Sequence, residues 1–307
     1  MYDIIIVGGG TAGLSAAIYG VRAGKKVLIL EKDVYGGQII NSPEVENYPG
    51  IKKISGVEFA RGLYEQATSL GAEFQRGQVT HIEENGSVKE VHVAGTDGTV
   101  YEGRSVILAT GVKNRPLGVE REKELTGMGV SYCATCDGMF FRGREVAVVG
   151  GGNTALEDAI FLSNNCSKVY LIHRRDKFRG EDSQVKILEK KENVEFVFNS
   201  VVTKLNGDDM LESVMLKDTL TGEERELPVS GLFVAIGKIS NNDDFQEFVK
   251  LDETGYVSAA EDCKTDVEGV FAAGDCRTKA VRQLATAAAD GAVAALAACG
   301  YVEENFD

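Results

Sequence analysis

Cys133 and Cys136 stand three positions apart in the run Ser131-Tyr132-Cys133-Ala134-Thr135-Cys136-Asp137-Gly138, with an acid directly after the second thiol. Two thiols at this spacing serve either as half of a zinc site or as a disulfide that opens and closes. A structural zinc ion takes four ligands, usually from a second cysteine pair or a pair of histidines. The remaining cysteines, Cys166, Cys263, Cys276 and Cys299, are scattered singly, and no two of His81, His92 and His173 are at ligand spacing. Redox cycling is therefore the expected chemistry, and it needs a source of electrons.

The first forty residues carry a nucleotide site. Ile4-Ile5-Ile6-Val7 is a continuous apolar run, the pattern of a strand buried on both faces. Gly8, Gly10 and Gly13 follow in G-x-G-x-x-G spacing, then a helix-forming stretch to Ala23, then Val27 to Leu30 closed by Glu31. The glycines permit a tight turn and close approach of a pyrophosphate to the helix N-terminus. An acid at the end of the second strand suits a ribose hydroxyl. Beyond this unit, Val57 to Leu70 reads as a helix. Val79 to Glu84 and Val88 to Val93 read as strands, with a hairpin signal at Thr96-Asp97-Gly98-Thr99, and Ser105 to Ala109 is a further buried strand.

The same order of parts recurs. Glu145 to Val149 is a buried strand, and Gly150, Gly152, Asn153 and Thr154 lie in a second glycine turn ahead of a helix. Val169 to Ile172, then Val201 to Leu205 and Leu211 to Lys217, and finally Leu232 to Ala235 repeat the strands of the first copy. Where the first copy has Glu31, 23 residues after Gly8, the second has His173, followed by Arg174, Arg175 and Arg179. An acid would repel a 2′-phosphate, whereas guanidinium groups bind one through charge-assisted hydrogen bonds. The second copy is thus expected to take NADP and the first a different dinucleotide. Gly269 to Asp275 and the alanine-rich stretch after it contain no third glycine turn. They are expected to return to the first copy, making the second an insertion with a hinge at the two crossings.

Composition narrows the classes. The net charge is −14, which argues against a nucleic-acid partner, because phosphate binding relies on clustered Lys and Arg. The start, Met1-Tyr2-Asp3, has no basic region or cleavage site, so no secretory signal is expected. The alanine-rich end is broken by Asp290 and Gly291, and no membrane span is expected. A cytoplasmic protein with usable thiols is the expectation.

With these features the whole chain resembles the low-molecular-weight, bacterial-type thioredoxin reductases. The residues that carry the resemblance are Gly8-Gly9-Gly10-Thr11-Ala12-Gly13, Gly36-Gly37-Gln38, Val45-Glu46-Asn47-Tyr48-Pro49-Gly50, Ala109-Thr110-Gly111, Cys133 to Gly138, His173-Arg174-Arg175 with Arg179, and Gly274-Asp275 followed by Arg282-Gln283. The resemblance implies an α/β fold of two Rossmann-like dinucleotide-binding domains of three-layer ββα type. An FAD domain would span residues 1–113 and 242–307, with an NADPH domain over 114–241 carrying the disulfide. It implies FAD held by the first glycine turn, Glu31, Gly36, Gly37, Gln38, Asn47, Thr110, Gly111, Asp275, Arg282 and Gln283. NADPH would fall to Gly150, Gly152, Asn153, Thr154, His173, Arg174, Arg175 and Arg179. It also implies a homodimer, thioredoxin as substrate, and rotation of the inserted domain to present nicotinamide and disulfide to the flavin in turn. Cys136 would face the flavin, Cys133 would attack the substrate disulfide, and Asp137 would protonate the leaving thiolate. Met139 stands where such proteins often have phenylalanine, beside Phe140, in the stretch implied to dock thioredoxin. Within the same fold, a ferredoxin-driven reductase and a flavin dithiol oxidase are alternatives, and a non-enzymatic nucleotide-binding redox sensor is a third.

Overall fold

The computed structural model describes residues 1–42, 44–94 and 98–306. The chain divides into two compact units, Met1–Lys113 with Ile239–Asp307, and Asn114–Lys238.

The first unit opens with β1 (Tyr2–Val7), α1 (Thr11–Arg22) and β2 (Val27–Glu31). Ile4, Ile5, Ile6, Leu28 and Ile29 have no exposed surface, as expected of strands covered on both faces. α2 (Gly56–Ser69) begins with a capping box in which the Ser55 hydroxyl accepts from Glu58 N and the Glu58 carboxylate accepts from Ser55 N. β3 (Glu73–Arg76), β4 (Val79–Asn85), β5 (Val88–Val93), β6 (Val100–Leu108) and β7 (Val112–Asn114) follow. β3, β2, β1 and β6 lie side by side and parallel. β6 is nine residues long. Its first half pairs antiparallel with β5, which pairs with β4, while its second half runs parallel to β1. β4, β5 and the first half of β6 thus form an antiparallel meander that shares its last strand with the nucleotide-binding sheet. The hairpin signal at Thr96-Asp97-Gly98-Thr99 lies partly outside the described residues.

The second unit contains α3 (Glu122–Leu125), β8 (Val130–Ser131), α4 (Ala134–Asp137), β9 (Glu145–Gly150), α5 (Asn153–Ser163), β10 (Lys168–Ile172), α6 (Asp182–Leu188) and β11 (Val194–Val197). Next come β12 (Ser200–Asn206), β13 (Ser213–Asp218), β14 (Glu224–Pro228) and β15 (Gly231–Ala235). Its parallel sheet has the order β11-β10-β9-β15-β8, and β12, β13 and β14 form a separate antiparallel sheet. Here the meander is detached, because Val229 and Ser230 part β14 from β15.

β16 (Lys238–Ser240) pairs with β7, so the two crossing segments run together. The second crossing falls between 238 and 239 rather than between 241 and 242. Asn242, just past this crossing, is fully buried in the first unit. Its amide donates to Gly255 O and Cys276 O, both at 2.9 Å, and its Oδ1 accepts from Thr110 Oγ1 at 2.6 Å. β17 (Val270–Ala272) then pairs with β6, and α7 (Leu284–Phe306) ends the chain.

By length and composition α7 could cross a membrane. It runs straight through Asp290 and Gly291, which break its apolar run but not the helix. Gly291 sits so close to α1 that a β-carbon there would strike Ala12 O. Asp290 is buried and fully engaged. It accepts from Arg277 through Nε and Nη2, both at 2.9 Å, from Lys279 Nζ at 2.8 Å and from Gly274 N at 3.0 Å. Burial alone would raise the titration of this carboxyl. The hydrogen bonds from Arg277 and Lys279 outweigh it and hold the group below the usual aspartate range. The stability it supplies is therefore present at neutral pH and is lost as pH falls through its depressed value. Asp290→Ala would leave the guanidinium of Arg277, 1% exposed, with only the solvent-exposed Glu261 carboxylate at 3.4 Å to balance it. The expected loss is ~3–5 kcal/mol, read as a lower urea midpoint at pH 7, and the gap should narrow in acid.

Candidate active site

Each glycine turn is built by close approach. A β-carbon on Gly8 would strike Ala109 O, and one on Gly13 would strike Gly8 O. Gly8 has φ 114°, which side-chain-bearing residues rarely adopt. The Glu31 carboxylate folds back onto this turn, accepting from Gly9 N at 2.7 Å and from Asp33 N at 2.9 Å. Gly36 N donates to Gly9 O at 2.8 Å, which brings Gly36, Gly37 and Gln38 to the rim of the turn. A β-carbon on Gly36 would lie 2.6 Å from Ala60 Cβ. A cleft opens beside Gly8, Glu31 and Thr110. Asn47 donates to Gln283 Oε1 at 3.2 Å. Arg282 lies 4.2 Å over the Tyr256 ring and donates to Lys279 O at 3.0 Å. Gly274 is fixed by Asp290, which places Asp275 at the end of β17. The structure thus gathers the first-unit residues onto one sheet and its flanking loops. A cradle whose walls are backbone atoms and glycines fits a dinucleotide pyrophosphate.

The second turn repeats the device. A β-carbon on Gly150 would strike Ala235 O, the counterpart of the Gly8 contact with Ala109. Arg179 N and Gly180 N donate to Gly151 O at 2.7 and 3.1 Å, and Glu181 N donates to Asn153 Oδ1 at 2.9 Å. These bonds tie the basic loop to the turn. Within it, Arg174, Arg175 and Arg179 are exposed, while His173 is 5% exposed. The His173 ring lies against Gly151, where a β-carbon would collide with it, and 5.5 Å from the Phe178 ring. Burial lowers its titration, and Arg179, Arg174 and Arg175 lower it further. His173 therefore packs under the loop as a neutral ring, and the three arginines stand outside it.

Cys133 and Cys136 form a disulfide, which excludes the zinc alternative in this state. Cys133 caps the short helix α4, and Cys136 N and Asp137 N both point back to Cys133 O. Ser131 organises the acid. Its hydroxyl donates to Asp137 Oδ2 at 2.6 Å and accepts from Cys133 N at 3.1 Å. Asp137 Oδ1 is buried and has no hydrogen-bond partner among the described residues. Burial raises the Asp137 titration, and the Ser131 bond only partly opposes it. One residue before the pair, Tyr132 OH donates to Glu122 Oε1 at 2.6 Å. The Glu122 carboxylate also accepts from Leu117 N and Gly118 N at 2.8 and 2.9 Å. Ser131 and Glu122 carried no signal in the sequence, since neither is set apart by type or spacing. Met139 is 45% exposed beside half-buried Phe140.

A redox disulfide next to a buried acid, in a chain with two glycine turns, matches known proteins along its length. The family described as pyridine nucleotide-disulphide oxidoreductase matches residues 2–292. The chain belongs to this family. It is 43% identical to the thioredoxin reductase of Peptoclostridium acidaminophilum, over 100% of this chain and 99% of that one. It is 41% identical to that of Bacillus subtilis, over 99% and 96%. The crystal structure of thioredoxin reductase from Streptococcus pyogenes superposes with TM-score 0.93 at 38% identity, covering 99% of both chains. The chain is a flavoprotein disulfide reductase that uses flavin and nicotinamide cofactors, and the Cys133–Cys136 pair fits its redox-active disulfide.

Because the Ser131 bond favours the ionised acid, Ser131→Ala is expected to push the Asp137 titration further up. Carbon NMR of labelled aspartate across a pH series checks this, and an unmoved or lowered titration would contradict the assignment of the bond.

Proposed function

We propose that this reductase takes electrons from NADPH through FAD and delivers them by way of Cys133 and Cys136 to the disulfide of a thioredoxin. The observation that carries the proposal is the Cys133–Cys136 disulfide set beside the buried, Ser131-held Asp137 carboxyl. The full-length similarity to thioredoxin reductases supports the substrate, and the same resemblance supports a cytoplasmic homodimer. Bound FAD would supply two-electron redox chemistry between the nicotinamide and the disulfide. The first glycine turn, with Glu31, Gly36, Gly37, Gln38, Asn47, Thr110, Gly111, Asp275, Arg282 and Gln283, would hold it. Gly150, Gly152, Asn153 and Thr154 would seat the NADPH pyrophosphate, and Arg174, Arg175 and Arg179 its 2′-phosphate. His173 supports that loop from below.

In the reduced state the Cys133 thiolate attacks the thioredoxin disulfide. A mixed disulfide forms as the substrate bond breaks, and one substrate sulfur leaves as a thiolate. Cys136 then attacks Cys133 Sγ, which re-forms the internal disulfide and frees the second substrate sulfur. Asp137 supplies the proton to a departing thiolate. Its raised titration suits that task, because the carboxyl keeps its proton to higher pH than an exposed aspartate.

The overall test is NADPH-dependent reduction of a thioredoxin, compared with NADH and with reduced ferredoxin. Two charge-assisted contacts at ~1.5 kcal/mol each would favour NADPH over NADH by roughly 100-fold. Arg174→Ala with Arg175→Ala should erase most of that ratio by weakening NADPH. An unchanged ratio places the phosphate elsewhere.

The roles of the thiols are separable. Cys136→Ser is expected to accumulate a mixed disulfide with thioredoxin, Cys133→Ser is not, and both should still take hydride from NADPH. Trapping by Cys133→Ser alone would reverse the two roles. Asp137→Asn should slow turnover by ~10²-fold. Wild-type turnover should fall as pH rises through the Asp137 titration, and the variant should lack that limb.

A further inference from the structure

His81 and His92 are eleven residues apart and form no linear metal motif. The register of the hairpin brings them together. In the pairing of β4 with β5, His81 faces His92 and Glu83 faces Glu90. Alternate residues of a strand share a face, so these four side chains project from one side. Ile82 and Val91, which face each other on the other side, are buried in the core.

The geometry on the outer side is close. Glu83 stands between the two imidazoles, with Oε1 3.0 Å from His92 Nε2 and Oε2 3.8 Å from His81 Nε2. The two rings are 5.5 Å apart. One ligand atom from each of Glu83, Glu90 and His92 falls within 4.8 Å of the others. Asn85 Nδ2 donates to Glu90 Oε1 and helps fix that carboxylate. On the next strand Glu102 pairs with Glu90, so three glutamates stand in a row across β4, β5 and β6. Like charges directly opposite one another destabilise a sheet. A cation at this face would relieve that repulsion.

We propose that the outer face of the β4–β5 hairpin is a binding site for a divalent transition-metal ion of the zinc class, with Glu83, Glu90 and His92 as ligands and His81 as the fourth. Imidazole and carboxylate together suit zinc, nickel and copper, whereas calcium and magnesium favour all-oxygen sets. Zinc bonds of ~2.0 Å in a tetrahedron give ligand–ligand edges of ~3.3 Å; Glu83 Oε1 and His92 Nε2 at 3.0 Å are close to such an edge, and His81 Nε2 comes to 3.8 Å from the other Glu83 oxygen. The site shares no residue with the disulfide or with either glycine turn. A bound ion would tie β4 to β5.

The test is calorimetric titration of the untagged, flavin-loaded full chain with zinc, in its disulfide form. Cys133 and Cys136 are then bonded to each other, and Cys166, Cys263, Cys276 and Cys299 are buried, so thiols do not compete. One zinc per chain is expected. His92→Gln should weaken binding by at least the ~10–100-fold that loss of a mere supporting partner costs a metal site. His81→Gln should weaken it as well. Imidazole nitrogen NMR of the unaltered protein should show His81 and His92 shifting with zinc while His173 stays put. Absence of saturable binding, undiminished affinity in the His81→Gln/His92→Gln double variant, or shifts confined to His173 would each overturn the proposal.

Discussion

Both units depend on one steric constraint, a backbone turn pressed against the end of a neighbouring parallel strand. Gly8 sits on Ala109 O and Gly150 on Ala235 O, in each case at a distance that excludes a β-carbon. The constraint acts twice. It lets β1 and β9 run centrally in their sheets, and it points the N-terminus of the following helix at the space above the turn. It also fixes what surrounds that space. Gly36 bonds to Gly9 in the first unit, and Arg179 and Gly180 bond to Gly151 in the second. Relaxing either turn would therefore displace the glycine cradle and the side chains on its rim together.

Charge is handled in opposite ways in the two units. Asp290, Arg277 and Lys279 are buried and mutually satisfied, so they fasten α7 to the Gly274–Asp275 loop. Arg174, Arg175 and Arg179 stay exposed, while the neutral His173 ring beneath them supplies packing without adding charge. Guanidinium groups left in solvent remain free to meet a phosphate, whereas buried ones are committed to the fold. Asp137 lies between these cases. Its burial is offset by a single hydroxyl, which leaves its titration raised and its proton available for transfer.

Local patterns were open to direct reading. The glycine turns, Glu31, the basic run after β10 and the cysteine pair are all contiguous motifs, whose residue types answer to backbone geometry or to ligand chemistry at the spot. The buried strands likewise announce themselves as apolar β-branched runs. β3, with only Phe74 apolar among Glu73–Arg76, does not. It is a strand because β2 offers it an edge, with Ile29 opposite Phe74. α7 is legible as a helix from its alanine-rich composition, whereas the partners of Asp290 and Gly291, namely Arg277, Lys279 and Ala12, are not.

The sequence by itself determined the chemistry: a redox thiol pair, two dinucleotide turns, and an acid in one copy set against arginines in the other. Tertiary structure alone decided the partnerships. Ser131 with Asp137, Asn242 with Thr110, Asp290 with Arg277, and His81 opposite His92 all join residues that no local spacing relates. The physical reason is that motif geometry is settled within a few covalent bonds. Partner choice depends instead on strand register and packing, which exist only once the whole chain has folded.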